Sequence, residues 1–121
     1  MATQNDVKRL ALALPETTKD PGGFRFFVDG KQFVWLWQER VDPKRPRVPN
    51  AEVIAVRVAN ESEKEVLIDM DPDTFFTEPH YDGYPAILVR LRAIDLELLK
   101  TVLTDGWRSR APKRLLGSVS R

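Results

Sequence analysis

The spacing of apolar residues in the first half of the chain predicts two amphipathic helices. The first helix is capped by Thr3 and ends before Pro15, because proline cannot donate the hydrogen bond that would continue it. The second helix opens at Asn60, whose side chain suits a helix N-terminus, and we expect it to bury Val66 and Leu67. Each helix therefore places one apolar face against a core.

Helical spacing returns near the end of the chain. Asp95 is positioned to cap a long helix, and Pro112 opens a short final helix, because proline is favoured at the first helical position. A continuous apolar stripe indicates that the long helix packs on the rest of the fold. This stripe consists of Leu96, Leu99, Val102, Leu103 and Trp107.

Alternating patterns between the first two helices predict a β-hairpin. The runs 24–28 and 31–37 are rich in residues that favour strands, and they flank Asp29-Gly30, a pair that suits a tight turn with positive φ. Both faces of the second strand are apolar, so we expect it to lie inside a sheet. Alternation assigns to one face Phe33, Trp35 and Trp37, and to the other Val34 and Leu36.

Two further strands complete the predicted sheet. The runs 52–58 and 86–91 have strand character, whereas prolines interrupt residues 38–50, which we interpret as an exposed loop. Neighbouring strands joined by short turns favour an antiparallel β-sheet with helices packed on it. The sequence thus predicts an α+β fold, and its 121 residues match the size of a single domain, residues 1–121.

Composition narrows the functional classes. The chain has no cysteine, which excludes disulfides and a cysteine nucleophile and favours a reducing compartment such as the cytoplasm. No apolar run reaches the roughly 20 residues of a membrane span, so we expect no membrane partner. The net charge of +1 is low for a dedicated nucleic-acid binder, yet the charges are unevenly distributed along the chain.

Basic residues gather in two segments. The proline-rich loop, which we call the basic loop, contains Arg40, Lys44, Arg45 and Arg47. The junction of the last two helices, which we call the C-terminal cluster, contains Arg108, Arg110, Lys113 and Arg114. If the basic loop and the C-terminal cluster lie on one face of the fold, they would together contact a phosphate backbone. Each group alone is typical of a solvated surface. Positions on opposite sides of the fold would weaken this hypothesis.

The only histidine stands in a segment that looks like a motif. His80 and Asp82 suggest a general base oriented by a carboxylate. That chemistry needs a nucleophile, and the sequence has no cysteine, no Gly-x-Ser-x-Gly motif and no phosphate-binding loop. We therefore interpret the segment as a turn between Pro79 and Pro85, bent at Asp82-Gly83, and predict no catalytic residue. The alternative is a ligand-binding or enzymatic site formed by His80, Tyr81, Asp82 and Tyr84.

Metal binding and base stacking are two further hypotheses. One histidine with scattered aspartates is a weak pattern of metal ligands, so we predict no metal site and no cofactor. The aromatic strand would suit stacking with single-stranded nucleic acid, although such strands more often form a core. If one of these aromatic side chains is exposed, we expect it to be Trp35 or Trp37, at the strand end nearest the basic loop.

Several strings make the chain similar to a known family. PHYDGYPAILVRL and the tryptophan helix before Ala111-Pro112 resemble the MmcQ/YjbR family, as do LALPET and GKQFVWL earlier in the chain. The resemblance implies a compact α+β fold, described as CyaY-like with hairpin wings, in a family commonly labelled DNA-binding. The motif residues, which we expect to build the fold, are His80, Tyr81, Asp82, Gly83, Tyr84, Pro85 and Trp107.

These observations together predict a small binding module without enzymatic activity. It would contact DNA weakly and with little sequence preference, through the basic loop and the C-terminal cluster, as a cytoplasmic monomer. No helix carries base-reading side chains at suitable spacing, which favours contact with phosphates over bases. The alternative is a protein-interaction or regulatory module, in which the aromatic strand would anchor a protein partner.

Overall fold

The structure is a computed structural model that describes residues 1–119; Ser120 and Arg121, which the predicted domain also spans, lie outside the described residues. The elements in chain order are α1 Gln4–Leu12, β1 Thr17–Lys19, β2 Arg25–Val28, β3 Lys31–Glu39, β4 Val48–Arg57, α2 Glu61–Met70, β5 Phe75–Phe76, β6 Ala86–Arg90, α3 Leu96–Arg110 and α4 Lys113–Leu116. A one-turn 3-10 helix, Pro79–Tyr81, lies between β5 and β6.

The six strands form one antiparallel sheet. Their order across the sheet is β1-β2-β3-β4-β6-β5, and every neighbouring pair is antiparallel. The long helix α3 packs against β3 and β4 on one face of the sheet, and α1 packs against α3. The predicted α+β fold and the interior position of β3 are therefore confirmed.

A bulge in β3 changes the faces on which its aromatic residues lie. The pairing with β2 shifts between Phe26 and Phe27, which leaves Phe33 as the extra residue on β3. The Phe33 ring therefore joins the core beneath the helices, while Trp35 and Trp37 lie on the opposite face. The prediction that these three side chains share one face is wrong, because simple alternation does not include the bulge.

The core beneath the helices is the larger apolar cluster. The buried Trp107 indole donates to the Pro15 carbonyl at 3.0 Å and so ties α3 to the segment between α1 and β1. Gly106 lets α3 approach β4 closely, since a Cβ atom there would stand 2.7 Å from the Val56 side chain. The predicted stripe of α3 is buried except for Leu96, which is exposed.

Some elements differ from those that the sequence predicts. The short edge strands β1 and β5 were not expected, and β3 and β4 extend into the predicted loop 38–50. Proline at the start of β4 is tolerated because this strand end lies at an irregularity in the pairing with β3. In α2 the prediction for Val66 is wrong: it is exposed, and Lys64 is buried instead. Leu67 lies one helical turn from Lys64 on the inner side, whereas Val66 points away.

Candidate functional site

The sheet face opposite α3 carries a group of aromatic side chains. Trp35 and Tyr81 belong to a second, smaller apolar cluster on this face, and Trp37 and Phe76 pack against it. The rings contact one another edge to face: the centroids of Trp37 and Phe76 are 5.5 Å apart, and those of Trp35 and Tyr84 are 6.4 Å apart. We call Trp35, Trp37, Phe76, Tyr81 and Tyr84 the aromatic face.

Residues 79–85, which we call the motif segment, begin with a capped 3-10 helix that contributes Tyr81 to the aromatic face. Glu78 caps Pro79–Tyr81, and its Oε1 accepts a hydrogen bond from the His80 backbone N–H at 2.9 Å. The Glu78 carboxylate therefore stabilises the first turn of the 3-10 helix by accepting one of its free backbone N–H groups.

A type II turn follows the 3-10 helix. Asp82 has φ −61° and ψ 128°, Gly83 has φ +75°, and the Tyr84 N–H donates to the Tyr81 carbonyl at 3.0 Å. The positive φ favours glycine at this position. The predicted bend at Asp82-Gly83 is thus confirmed. The buried Lys64 ammonium donates to the carbonyls of Tyr81, at 2.6 Å, and Tyr84, at 3.1 Å, so α2 holds the turn from the inside.

Glu78 connects the motif segment to the basic loop. Its Oε2 accepts the Trp37 indole N–H at 3.2 Å and lies 3.7 Å from the Arg47 guanidinium. Arg47 also donates to the Gln38 carbonyl at 2.8 Å. These contacts fix the base of the basic loop beside Trp37, which is half-buried. Trp35 is buried, so neither of the two tryptophans considered for an exposed position is exposed.

The remaining cations of the basic loop face solvent. Arg40 donates to the Arg45 carbonyl at 3.0 Å, and the Arg45 side chain lies 3.6 Å from Asp42. Exposed pairs of this kind contribute about 0–1 kcal/mol, so they release a cation easily. The Lys44 ammonium has no partner among residues 1–119. The loop therefore presents positive charge that a phosphate can reach.

The C-terminal cluster is largely engaged in contacts within the protein. Arg114 donates two hydrogen bonds to Glu16, at 2.7 and 2.9 Å, and this pairing lowers the pKa of the Glu16 carboxyl. Arg108 donates to the backbone carbonyls of Leu116 and Val119. The other members of the cluster are the half-buried Arg110 and the exposed Lys113.

The basic loop and the C-terminal cluster lie at opposite ends of the sheet. The basic loop follows Glu39, the last residue of β3, whereas Arg114 is close to Glu16 and Asp29 at the other end. The nine residues of β3 separate these ends by roughly 30 Å. The two groups therefore do not form the one continuous surface on which the hypothesis of a joint phosphate contact depends.

His80 and Asp82 do not form a catalytic pair. Within residues 1–119, no hydrogen bond or ion pair joins their side chains, and the exposed His80 ring contacts only Tyr81, edge to face at 5.7 Å. Three of the four residues in the alternative ligand site, His80, Tyr81 and Tyr84, nevertheless line one cleft, which Asp82 does not reach. The motif segment is thus both a turn and part of a cleft wall.

The cleft is shallow and has a volume of about 350 Å³. Its walls consist of Gln32, Trp35, Gln38, His80, Tyr81 and Tyr84. A wider cavity of about 840 Å³ lies beside the loop between β1 and β2 and shares Gln32, Trp35 and Gln38 with the cleft. Neither glutamine is predicted from the sequence. In a regular strand the side chain of residue 35 points to the face opposite those of residues 32 and 38. Register shifts on either side of Trp35 bring them to one cleft.

The Tyr81 hydroxyl keeps its proton in the cleft. Burial raises the pKa of Tyr81 above its ordinary value of 10.0, and the hydrogen bond from the Trp35 indole, at 3.3 Å, opposes this rise. The Glu78 carboxylate adds to the increase. Because the oxygen only accepts from Trp35, the hydroxyl proton is available to an acceptor in the cleft.

Residues 1–119 contain neither a group of three candidate metal ligands nor a helix of membrane-spanning length. Across this range, no three histidine, cysteine, aspartate or glutamate side chains are grouped to hold a metal ion. No helix of this range is long and apolar enough to cross a membrane. The acidic side chains serve local roles instead: Asp71, for example, accepts the Thr74 hydroxyl at 2.7 Å.

Comparison with known proteins relates the chain to uncharacterized relatives. A family model described as YjbR matches residues 12–109. Similar proteins include the uncharacterized proteins Rv2570 of Mycobacterium tuberculosis and Mb2600 of Mycobacterium bovis. Each is 37% identical over 123 residues, which cover 96% of this chain and 94% of the relative. No solved structure matches the chain.

Proposed function

The chain belongs to the YjbR family, and we propose that it is a small non-enzymatic module that binds single-stranded DNA along its aromatic face. The basic loop would contact phosphates, and aromatic side chains would stack with bases. The observation that carries the proposal is the Trp37–Glu78–Arg47 contact, which joins the loop to the aromatic face. A cytoplasmic location and a monomeric state belong to the same proposal.

The charge of the basic loop supports contact with phosphate. Between Arg40 and Arg47 the loop has four cations and a single acid, Asp42, and three of the cations are exposed. Long exposed side chains reach a phosphate without losing much hydration, and the counterions that they displace from DNA favour binding. Affinity of this kind is weak, insensitive to base sequence and steeply dependent on salt.

Arginine side chains along the aromatic face support stacking with bases. The Arg90 guanidinium lies 4.0 Å from the centroid of the Phe76 ring, and that of Arg57 lies 5.1 Å from the Tyr84 ring. Such pairs offer a flat surface and a positive charge together, which suits a base and its adjacent phosphate. A duplex would hide its bases, so this face favours a single strand.

The C-terminal cluster has no part in the proposed contact. Arg114 is already paired with Glu16, and Arg108 donates to backbone carbonyls. A phosphate bound there would lie at the far end of the sheet from the basic loop, roughly 30 Å away. The proposal therefore assigns phosphate contact to the basic loop.

Reversal of charge in the basic loop tests this function. The double variant Lys44→Glu with Arg45→Glu should bind a labelled oligothymidylate about tenfold more weakly than the parent protein, because two phosphate contacts become repulsive. Fluorescence anisotropy across a salt series measures this affinity. The dependence of the binding constant on salt should also become less steep in the variant, because fewer counterions are released.

A charge-matched variant on the opposite part of the fold is the control. Lys100→Glu with Lys113→Glu changes the net charge equally, at exposed positions of α3 and α4. It should retain most of the parent affinity. Absence of binding by the parent protein at low salt, or an equal loss in both double variants, would overturn the proposal.

A further inference from the structure

The cleft between β3 and the motif segment has the properties of a site for one nucleobase. We infer that a single base, from a DNA strand or from a free nucleotide, enters this cleft. For a base that belongs to a DNA strand, the inference rests on the function proposed above. The cleft volume of about 350 Å³ lies at the small end of ligand sites and suits one ring system.

The walls of the cleft provide hydrogen-bonding groups that the fold does not use. The Gln32 amide has no partner among residues 1–119, and neither does the His80 imidazole. The Tyr81 hydroxyl accepts from Trp35 but donates to no described residue. Gln38 uses its Nε2 on the Leu36 carbonyl, which leaves its Oε1 as an acceptor. Donors and acceptors thus converge on one small volume, as the edge of a base requires.

Aromatic rings supply the flat surfaces that a base also requires. Tyr84 is 41% exposed, and its hydroxyl accepts from Arg57 at 3.3 Å, which holds the ring at the rim of the cleft. Trp35 and Tyr81 are buried and lie deeper, and each of them contacts the Tyr84 ring edge to face. A planar heteroaromatic ring would find a stacking surface beside its hydrogen-bonding partners.

The surroundings of the cleft suit the sugar and phosphate that follow a base. The wider cavity that shares Gln32, Trp35 and Gln38 is also lined by Lys19 and Arg25. The Arg25 guanidinium is half exposed and pairs with Asp20 at 2.8 Å, so one face of this cation still meets solvent. A nucleotide would therefore place its base in the cleft and its phosphate in the wider cavity, near positive charge.

Oligothymidylate and an abasic deoxyribose-phosphate chain of equal length are the two probes that test the inference. The parent protein should bind the base-bearing chain about tenfold more tightly, since stacking and hydrogen bonds are gained with unchanged phosphates. Gln32→Leu and, separately, Tyr84→Ala should each remove most of this difference. Asn5→Leu, which replaces an exposed amide on α1, should leave it unchanged. Thermal unfolding of each variant confirms that it folds.

The outcomes separate this inference from the proposed function. Equal affinity of the parent protein for oligothymidylate and for the abasic chain would overturn the base site and leave phosphate binding intact. Binding of free thymidine monophosphate, lost in Gln32→Leu, without binding of either chain would support the base site and contradict the strand-binding function. If both cleft variants still bind oligothymidylate more tightly than the abasic chain by the same factor as the parent protein, the base binds elsewhere. The inference is then wrong.

Discussion

Tyr81 joins the fold of the motif segment to the chemistry of the cleft. Its carbonyl is held by Lys64 and by the backbone of the type II turn, while its hydroxyl meets Trp35 across the sheet. The only histidine, His80, is exposed and forms no hydrogen bond through its ring within residues 1–119. The neighbouring Tyr81 side chain is instead buried, and its hydroxyl accepts a hydrogen bond from Trp35.

Titration of Tyr81 tests this environment. Tyr84→Phe leaves Tyr81 as the only tyrosine, because the chain has two. Its phenol should titrate above 10.0 in the folded protein, because burial disfavours the phenolate, and near 10.0 in urea-unfolded protein. Ultraviolet absorbance of the phenolate reports the titration, and circular dichroism confirms that the protein stays folded.

The raised pKa of Tyr81 also sets the sign of a pH effect on stability. The folded state binds the phenolic proton more tightly than the unfolded chain, so the contribution to stability is complete below pH 10.0. It is lost as the pH rises through the folded pKa. A folded-state titration at or below the value in urea would contradict the buried position of the hydroxyl.

At the scale of elements, Lys64 makes α2 a support for the turn that follows it in sequence. The helix is capped by Asn60, and one turn later Lys64 extends inward to the carbonyls of Tyr81 and Tyr84. Because those carbonyls lie on either side of Gly83, the ammonium replaces the water that would otherwise solvate the inside of the turn. The position of the cleft wall thus depends on α2.

Replacement of Lys64 by methionine tests this support. Lys64→Met keeps most of the apolar stem of the side chain but leaves two carbonyls without their donor, so the free energy of unfolding should fall by about 1–3 kcal/mol. Urea denaturation measures the loss. Lys100→Met, at an exposed helical position, is the control and should change stability by less than about 0.5 kcal/mol. Equal stabilities for the two variants would show that the buried contact does not hold the turn.

The elements show where sequence reasoning succeeds and where it stops. The cap at Thr3 and the bend at Asp82-Gly83 follow from neighbouring residues, and both are present in the structure. The bulge at Phe33 depends on the pairing of two strands, and the separation of the basic loop from the C-terminal cluster depends on strand order. Such features arise from contacts between distant segments, so local patterns do not predict them.

The cleft illustrates the same limit for a functional site. The motif identifies Tyr81 and Tyr84, although with a structural role. Gln32 carries no signal beyond polarity on an apolar strand, and Gln38 falls in the predicted loop 38–50. Two register shifts around Trp35 place these glutamines on the cleft. The residue types were visible in the sequence, but their convergence was not.

At the scale of the whole molecule, the sheet separates two different surfaces. One face packs against α3 and contains the larger core, with Trp107 fully buried. The other carries the aromatic face, the cleft and the contact with the basic loop. The near-neutral net charge of +1 therefore conceals an uneven surface, in which the basic loop places three exposed cations close to aromatic side chains.

The three tryptophans allow one measurement to test where DNA binds. Trp35 and Trp37 lie on the aromatic face, whereas Trp107 lies beneath the helices and donates to Pro15. Unlabelled oligothymidylate is added to nitrogen-15-labelled protein, and the three indole N–H resonances are followed by nuclear magnetic resonance. We predict that the signals of Trp35 and Trp37 shift progressively while that of Trp107 stays in place. Three unchanged signals, or a shift of Trp107 as large as the others, would contradict binding at the aromatic face.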